Sequence, residues 1–128
     1  MGTKNMDDID IPLATRKVRY QTLLEEQDYS VTKTTVLAGG ETQWHHHTDV
    51  DDRFTVVRGI LTVEWKSDGR IEKLAVPDYY AVPRGVSHHV KNETNDDVVY
   101  IMVQSGGKRN IVLEPDVTPP ASFGAKVM

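Results

Sequence analysis

Short strand-like runs broken by turn signals, from Lys17 to Leu113, constrain this chain most. Lys17 to Leu24 reads as the first strand and Tyr29 to Leu37, rich in Thr and Val, as the second. Gly39-Gly40 breaks the pattern, and Phe54 to Val57 resumes it until Gly59. Ile60 to Trp65 alternates: Leu61, Val63 and Trp65 share one face, Thr62 and Glu64 the other, as a pleated strand requires. Lys66-Ser67-Asp68-Gly69 is a hairpin turn with Gly69 free to take positive φ, and Arg70 to Val76 is its return strand. Pro77-Asp78 turns again before Tyr79 to Val82. Val86 to Val90 follows, then a polar loop from Asn92 to Asp97. Val98 to Gln104 is nearly all apolar, which predicts a strand buried on both faces. Asn110 to Leu113 closes the series. Nothing predicts a long amphipathic helix; Thr22 to Gln27 has room for a turn or two at most. Many short strands with evenly spaced turns predict an all-β sandwich or barrel.

The chain has 128 residues, the size of one domain. A chain of that size buries roughly two-thirds of its unfolded surface. We read residues 1–14 as a flexible leader, 15–114 as the β-barrel and 115–128 as an extended tail. Asp7, Asp8 and Asp10 give the leader little to bury, and Pro115, Pro119 and Pro120 punctuate the tail. The formal charge of −4 offers no basic excess to attract phosphates and argues against a nucleic-acid partner. There is no Cys, which excludes disulfides and thiolate metal sites. No run has the apolar length of a membrane span, and the polar, acidic start is unlike a secretion signal. The expected location is the cytoplasm.

All five histidines fall in two places, His45-His46-His47 and His88-His89. On a strand, His45 and His47 point one way and His46 the other. Neutral imidazole is the commonest protein ligand for metals. Asp52 nearby and His88 from a later strand would complete a mixed nitrogen and oxygen set. The competing readings are hydrogen-bonded interior histidines without metal, and, for Asp52, a surface carboxylate with Asp51 as its rival. An imidazole–carboxylate set suits Fe, Mn, Ni, Cu or Zn as divalent ions and does not choose among them.

The stretch Gly39-x5-His45-x-His47-x4-Asp52-x6-Gly59 resembles the first cupin motif, and Pro83-x-Gly85-x2-His88-x3-Asn92 the second. The two motifs and the segment between them cover Gly39 to Asn92. The resemblance implies an all-β, double-stranded β-helix or jelly-roll β-barrel, RmlC-like. It also implies one divalent transition metal ion held by His45, His47, Asp52 and His88. Two positions depart from the family pattern: Asp52 stands where Glu is usual, and Pro77 replaces a Gly.

Other residues take lesser roles. His46 and His89 are expected at the exterior or a subunit interface, and Trp44 in packing. Tyr79, Tyr80 and Tyr100 are expected in the core or lining a pocket, where one could act as acid or base. Gln43 shares the face of His45 and His47. Arg53 and Arg84 could bind a substrate carboxylate bidentately, although a solvated position is their ordinary role. Gly59 and Gly85 permit tight turns. The leading functional expectation is a metal-dependent enzyme, such as a dioxygenase, isomerase or lyase, acting on a small organic molecule, with Asp52 a labile ligand able to serve as base. The alternative is a non-catalytic domain that binds or senses a small ligand. Small cupins usually pair, so a homodimer is expected.

Overall fold

A computed structural model of the protein describes residues 16–115. The leader at 1–14, residue 15 and nearly all of the expected tail lie outside the described residues. The described chain forms ten strands and no helix: β1 (Val18–Glu25), β2 (Tyr29–Val36), β3 (His45–His46), β4 (Asp51–Arg58), β5 (Leu61–Ser67), β6 (Arg70–Val76), β7 (Tyr79–Val82), β8 (His88–Lys91), β9 (Val98–Ser105) and β10 (Val112–Leu113). They build two five-stranded antiparallel sheets, β1-β2-β9-β4-β7 and β10-β3-β8-β5-β6. Successive strands alternate between sheets often enough to wrap one barrel.

Boundaries follow local chemistry. Lys17 takes φ 67, a left-handed conformation that ends extension, so β1 starts one residue after the expected start. The segment from Thr22 stays extended and pairs with β2 across a bulge between Thr22 and Leu24, so no helical turn forms there. At the β5–β6 hairpin, Ser67 pairs with Arg70, while Asp68 at φ 49 and Gly69 at φ 79 supply the two positive angles of a type I′ turn. Gly59, at φ 83, sits where a Cβ would lie 3.0 Å from Val98 Cγ2 and 3.1 Å from Asp97 O. Its lack of a side chain lets β4 turn against β9.

Period-two alternation sorts each strand into an inner and an outer face. In the first sheet, Ser30, Thr32, Thr34 and Val36 of β2 face inward and are buried. Cross-strand register lines them up in rows: Ser30, Gln104, Asp52 and Val82; then Thr32, Met102, Phe54 and Tyr80; then Thr34 and Tyr100. In the second sheet Leu61 faces Val76, Val63 faces Val90, and Trp65 faces His88. The core is thus Val18, Val36, Phe54, Leu61, Val63, Val76, Val90, Val98 and Tyr100, among others. A fully buried side chain of this kind contributes about 1.5–3 kcal/mol. Phe54 and Tyr100 meet edge-on, with ring centroids 5.3 Å apart.

Two expectations need correction. β9 is not buried on both faces: Val98, Tyr100 and Gln104 are buried, but Val99, Ile101 and Val103 are only half-buried, because no layer covers the outside of that sheet among the described residues. Tyr79 is 52% exposed, since its position on β7 opposite Thr55 turns it to that same outer face.

Candidate metal centre

His45, His47, Asp52 and His88 converge at one end of the interior, each offering a ligand atom within 4.8 Å of the others'. Sheet pairing brings them together. His45 of β3 lies directly opposite His88 of β8, and their ring centroids are 4.4 Å apart. Asp52 comes across the barrel from β4 in the other sheet. All four are buried, and Phe54 lies beneath, its ring centroid 6.3 Å from that of His88.

The backbone fixes the tautomers. His45 Nδ1 is 2.6 Å from Gln43 O, His88 Nδ1 is 2.9 Å from Val86 O, and His47 Nδ1 bonds Asn110 O. A carbonyl oxygen only accepts, so each Nδ1 carries its proton and donates it. The three Nε2 atoms are left to face the interior, as metal-ligating imidazoles require. Gly85 N donates to His47 O at 2.7 Å, which ties the end of this segment to the second motif.

Asp52 completes the set. Its Oδ2 lies 3.0 Å from both His47 Nε2 and His88 Nε2, and its Oδ1 accepts from Gln104 Nε2 at 2.9 Å. The shorter Asp side chain therefore reaches the imidazoles that the usual Glu would meet. Two neutral Nε2 lone pairs aimed at one carboxylate oxygen repel it; the arrangement is satisfied by a cation shared among them or by protonation of the rings. A buried carboxylate among imidazole nitrogens with their outer N–H groups already committed fits a divalent metal ion.

The electrostatics follow the same contacts. Burial, reinforced by the neighbouring His88, pulls the His45 pKa down to about 3, so this ring is a neutral ligand at any ordinary pH. Burial also pulls His47 down, but the hydrogen bond and charge of Asp52 outweigh it and raise the net value. Burial pushes Asp52 up, yet its bonds to His47 and His88 hold its carboxyl well below the usual carboxylate range.

A cavity of about 180 Å³ opens from the cluster. Tyr20, Phe54, Met102 and Ile111 supply apolar wall, and Thr32, Gln104 and Arg109 supply polar atoms. Tyr100 also lines it; burial pushes its phenol above the ordinary value, so it stays neutral.

Other sequence-predicted residues fall elsewhere. Asp51 points away from the cluster and pairs with Arg84, accepting from its backbone N at 2.8 Å and its Nε at 3.2 Å; this uses up both the rival carboxylate and one candidate anion-binding Arg. Arg53 donates to Ser105 Oγ at 2.6 Å and does not line the cavity. Gln43 turns its amide to Glu114 O at 2.8 Å, although its own carbonyl holds His45. Tyr80 packs on Trp65 with ring centroids 5.4 Å apart. His46 is partly exposed and pairs with Glu114 at 2.7 Å. His89 corrects the expectation of an exterior residue: it is buried, stacked on Trp44 at 4.4 Å and bonded to Glu64 at 2.7 Å. Alternation put it on the outer face, but Trp44 folds over that face.

Sequence reasoning missed Thr32, Gln104, Arg109 and Asn110. Gln104 carried a signal, since it is the polar inward position at the end of an apolar strand. Asn110 carried none: its carbonyl holds His47, while its Oδ1 accepts from Thr48 N at 3.2 Å and Asp49 N at 3.1 Å.

A family model described as the cupin domain matches residues 32–104, which includes all four converging residues. A Bacillus subtilis protein, the uncharacterized YdbB, is 29% identical over 75 residues, 59% of this chain and 64% of that protein's length. The crystal structure of a Klebsiella pneumoniae protein with a double-stranded β-helix domain superposes with a TM-score of 0.64 at 22% identity, covering 78% of this chain and 86% of that one. An oxalate oxidase superposes with a TM-score of 0.65 at 15% identity, covering 86% of this chain and 65% of that one. A Bacillus subtilis oxalate decarboxylase with Mn(II) centres superposes with a TM-score of 0.61 at 19% identity, covering 68% of this chain and 24% of that one. Likenesses at such identity establish the fold. Motif residues, sheet order and family match agree, and the chain belongs to the cupin family.

Proposed function

We propose that the protein binds one divalent transition metal ion through His45, His47 and His88 Nε2 and the Asp52 carboxylate, and acts there as a metal-dependent enzyme on a small organic molecule. The observation that carries this reading is the set of three Nδ1–H groups donated to backbone carbonyls, which commits three Nε2 atoms to one buried point beside a carboxylate. Such an ion supplies Lewis acidity and, if redox-active, electron transfer at whatever positions the protein leaves open.

The chain's own residues define the rest. Gln104 holds Asp52 by Oδ1, leaving Oδ2 toward the imidazoles. A carboxyl kept so acidic is a weak base, which supports a holding role for Asp52 over proton abstraction. Apolar residues line much of the space beside the cluster, and the neutral Tyr100 phenol can donate a hydrogen bond but not take a proton. That the described cavity wall has no carboxylate or imidazole beyond the cluster favours a second reading, a non-catalytic domain that binds its small ligand at the metal. Turnover of keto acids, catechols and sugars by metal-loaded protein separates the two.

The location we propose is the cytoplasm, supported by the absence of Cys, and the partner a small molecule with no nucleic acid, supported by the charge of −4. No helix among the described residues is long and apolar enough to cross a membrane.

Plasma mass spectrometry on untagged protein tests the metal reading. About one equivalent of Fe, Mn, Ni, Cu or Zn is expected, lost in the folded H47A/H88A double variant. No metal as isolated and none taken up from added salts overturns it.

A further inference from the structure

Arg109 is a cavity-lining cation outside the four-residue cluster. It lies on the segment between β9 and β10, and its neighbours fix its place. Asn110 is pinned to Thr48, Asp49 and the His47 ring, so the backbone beside Arg109 is anchored to the metal cluster itself. Its side chain is 26% exposed, and its Nη1 makes a long ion pair, 4.0 Å, with the exposed Glu25 Oε1, too far for a hydrogen bond. A guanidinium is a fork of donors matched to a planar anion, and Arg109 lines the chamber whose other fixed feature is a set of metal-type ligands.

Thr32 gives a second, independent observation. Its side chain lines the same cavity, it is fully buried, and its Oγ1 has no hydrogen-bond partner among the described residues. A buried hydroxyl left without a partner is destabilising, a penalty that a ligand atom reaching it would remove. Thr32 stands in the row beside Asp52 and Gln104, so its hydroxyl addresses the chamber next to the cluster. The size limits the guest to a small molecule, since the cavity volume is about 180 Å³. The wall between the polar points is apolar, with Phe54, Met102, Tyr20 and Ile111.

We propose that Arg109 is the carboxylate-recognising residue of this cavity and that the ligand is a small monocarboxylic acid with an apolar body, whose further polar atom is met by Thr32. The ligand's anionic end lies at the Arg109 side and its body against Phe54 and Met102. This assignment rests on the proposed use of the cavity as the ligand site, but the anion preference does not require that the metal be present.

Matched acid and amide pairs test it by calorimetry: butyrate against butyramide and benzoate against benzamide. They are titrated into wild type, R109Q, R109K and a surface control, R53Q, with metal content measured on every sample. Expected is a preference for acid over amide of about tenfold or more in wild type and R53Q, partly kept in R109K and abolished in R109Q at unchanged metal content. T32V should weaken a hydroxy or keto acid such as 2-oxobutyrate and leave butyrate unchanged. Equal affinity for acid and amide in wild type, or a preference that survives R109Q, overturns the assignment even if metal is bound. An Arg109-dependent preference in protein that holds no metal and takes none up from added salts keeps the assignment and overturns the metal reading alone.

Discussion

Each ligand imidazole is held by a backbone carbonyl, and the cluster's behaviour follows from that. His45 is neutral and buried, with its pKa down to about 3. With metal removed by chelator, the unfolded chain takes up a proton at His45 near pH 6.5 that the folded chain refuses, so stability falls with pH from there. His47 runs the other way: its raised value adds stability that is complete below its unfolded pKa and lost as pH rises through the folded one. From about pH 5.5 down to the carboxylate range His45 therefore sets the slope. Urea midpoints of the apoprotein should drop over that window, and H45Q should flatten the drop. The two adjacent acids separate cleanly as well. D52N should lose metal affinity by about 10-fold or more, whereas D51N, which breaks only the Arg84 pair, should keep it; metal titration of both variants decides.

Elements explain why the cluster stands where it does. β3 is two residues long, too short to hold two ligands by its own ladder. It is strapped from both sides: Val112 and Leu113 of β10 pair with His46 and His45, Glu114 N donates to Trp44 O at 2.8 Å, and Thr42 N donates to Val90 O at 2.9 Å. Glu114 locks the strap further, accepting from Ser87 Oγ at 2.5 Å and Lys66 Nζ at 3.2 Å and bonding His46. Those contacts hold its carboxyl down to about 2 against the opposing effect of burial. A depressed pKa means stability present above the unfolded value and lost as pH falls through the folded one. E114Q should therefore lower stability at pH 7 by about 1 kcal/mol and by little near pH 2, as read by denaturant midpoints. The metal motifs were legible in the sequence because four ligands and their glycines recur at fixed spacing on strands whose alternation could be read. The supports were not legible. Asn110 meets His47 across 63 residues and Gln104 meets Asp52 across 52, and no local pattern marks a contact made only by the closed barrel. His89 was misplaced for the same reason: alternation names a face, not what lies on it.

At the scale of the molecule, the outer face of the first sheet stands out. Val31, Val99, Ile101 and Val103 are half-buried there, and Val57 and Tyr79 are 59% and 52% exposed. Lys33, Arg53 and Arg58 stand opposite these residues on the same face, and the apolar strip between them supports the homodimer we propose. Size-exclusion chromatography with light scattering should give twice 14.4 kDa, and I101K, which places a charge at the centre of that face, should give a folded monomer; a monomeric wild type overturns the pairing.

The order in which the centre's parts leave the ribosome is set by the strand order described above. His45, His47 and Asp52 emerge together, His88 arrives 36 residues after Asp52, and the carbonyl that orients His47 arrives 63 residues after that ring. A nascent chain thus displays a loose, partial chelator long before it owns a rigid one. If the cluster holds the ion proposed above, discrimination among ions belongs to the finished barrel, and an ion captured early has to survive an exchange once the last strand closes.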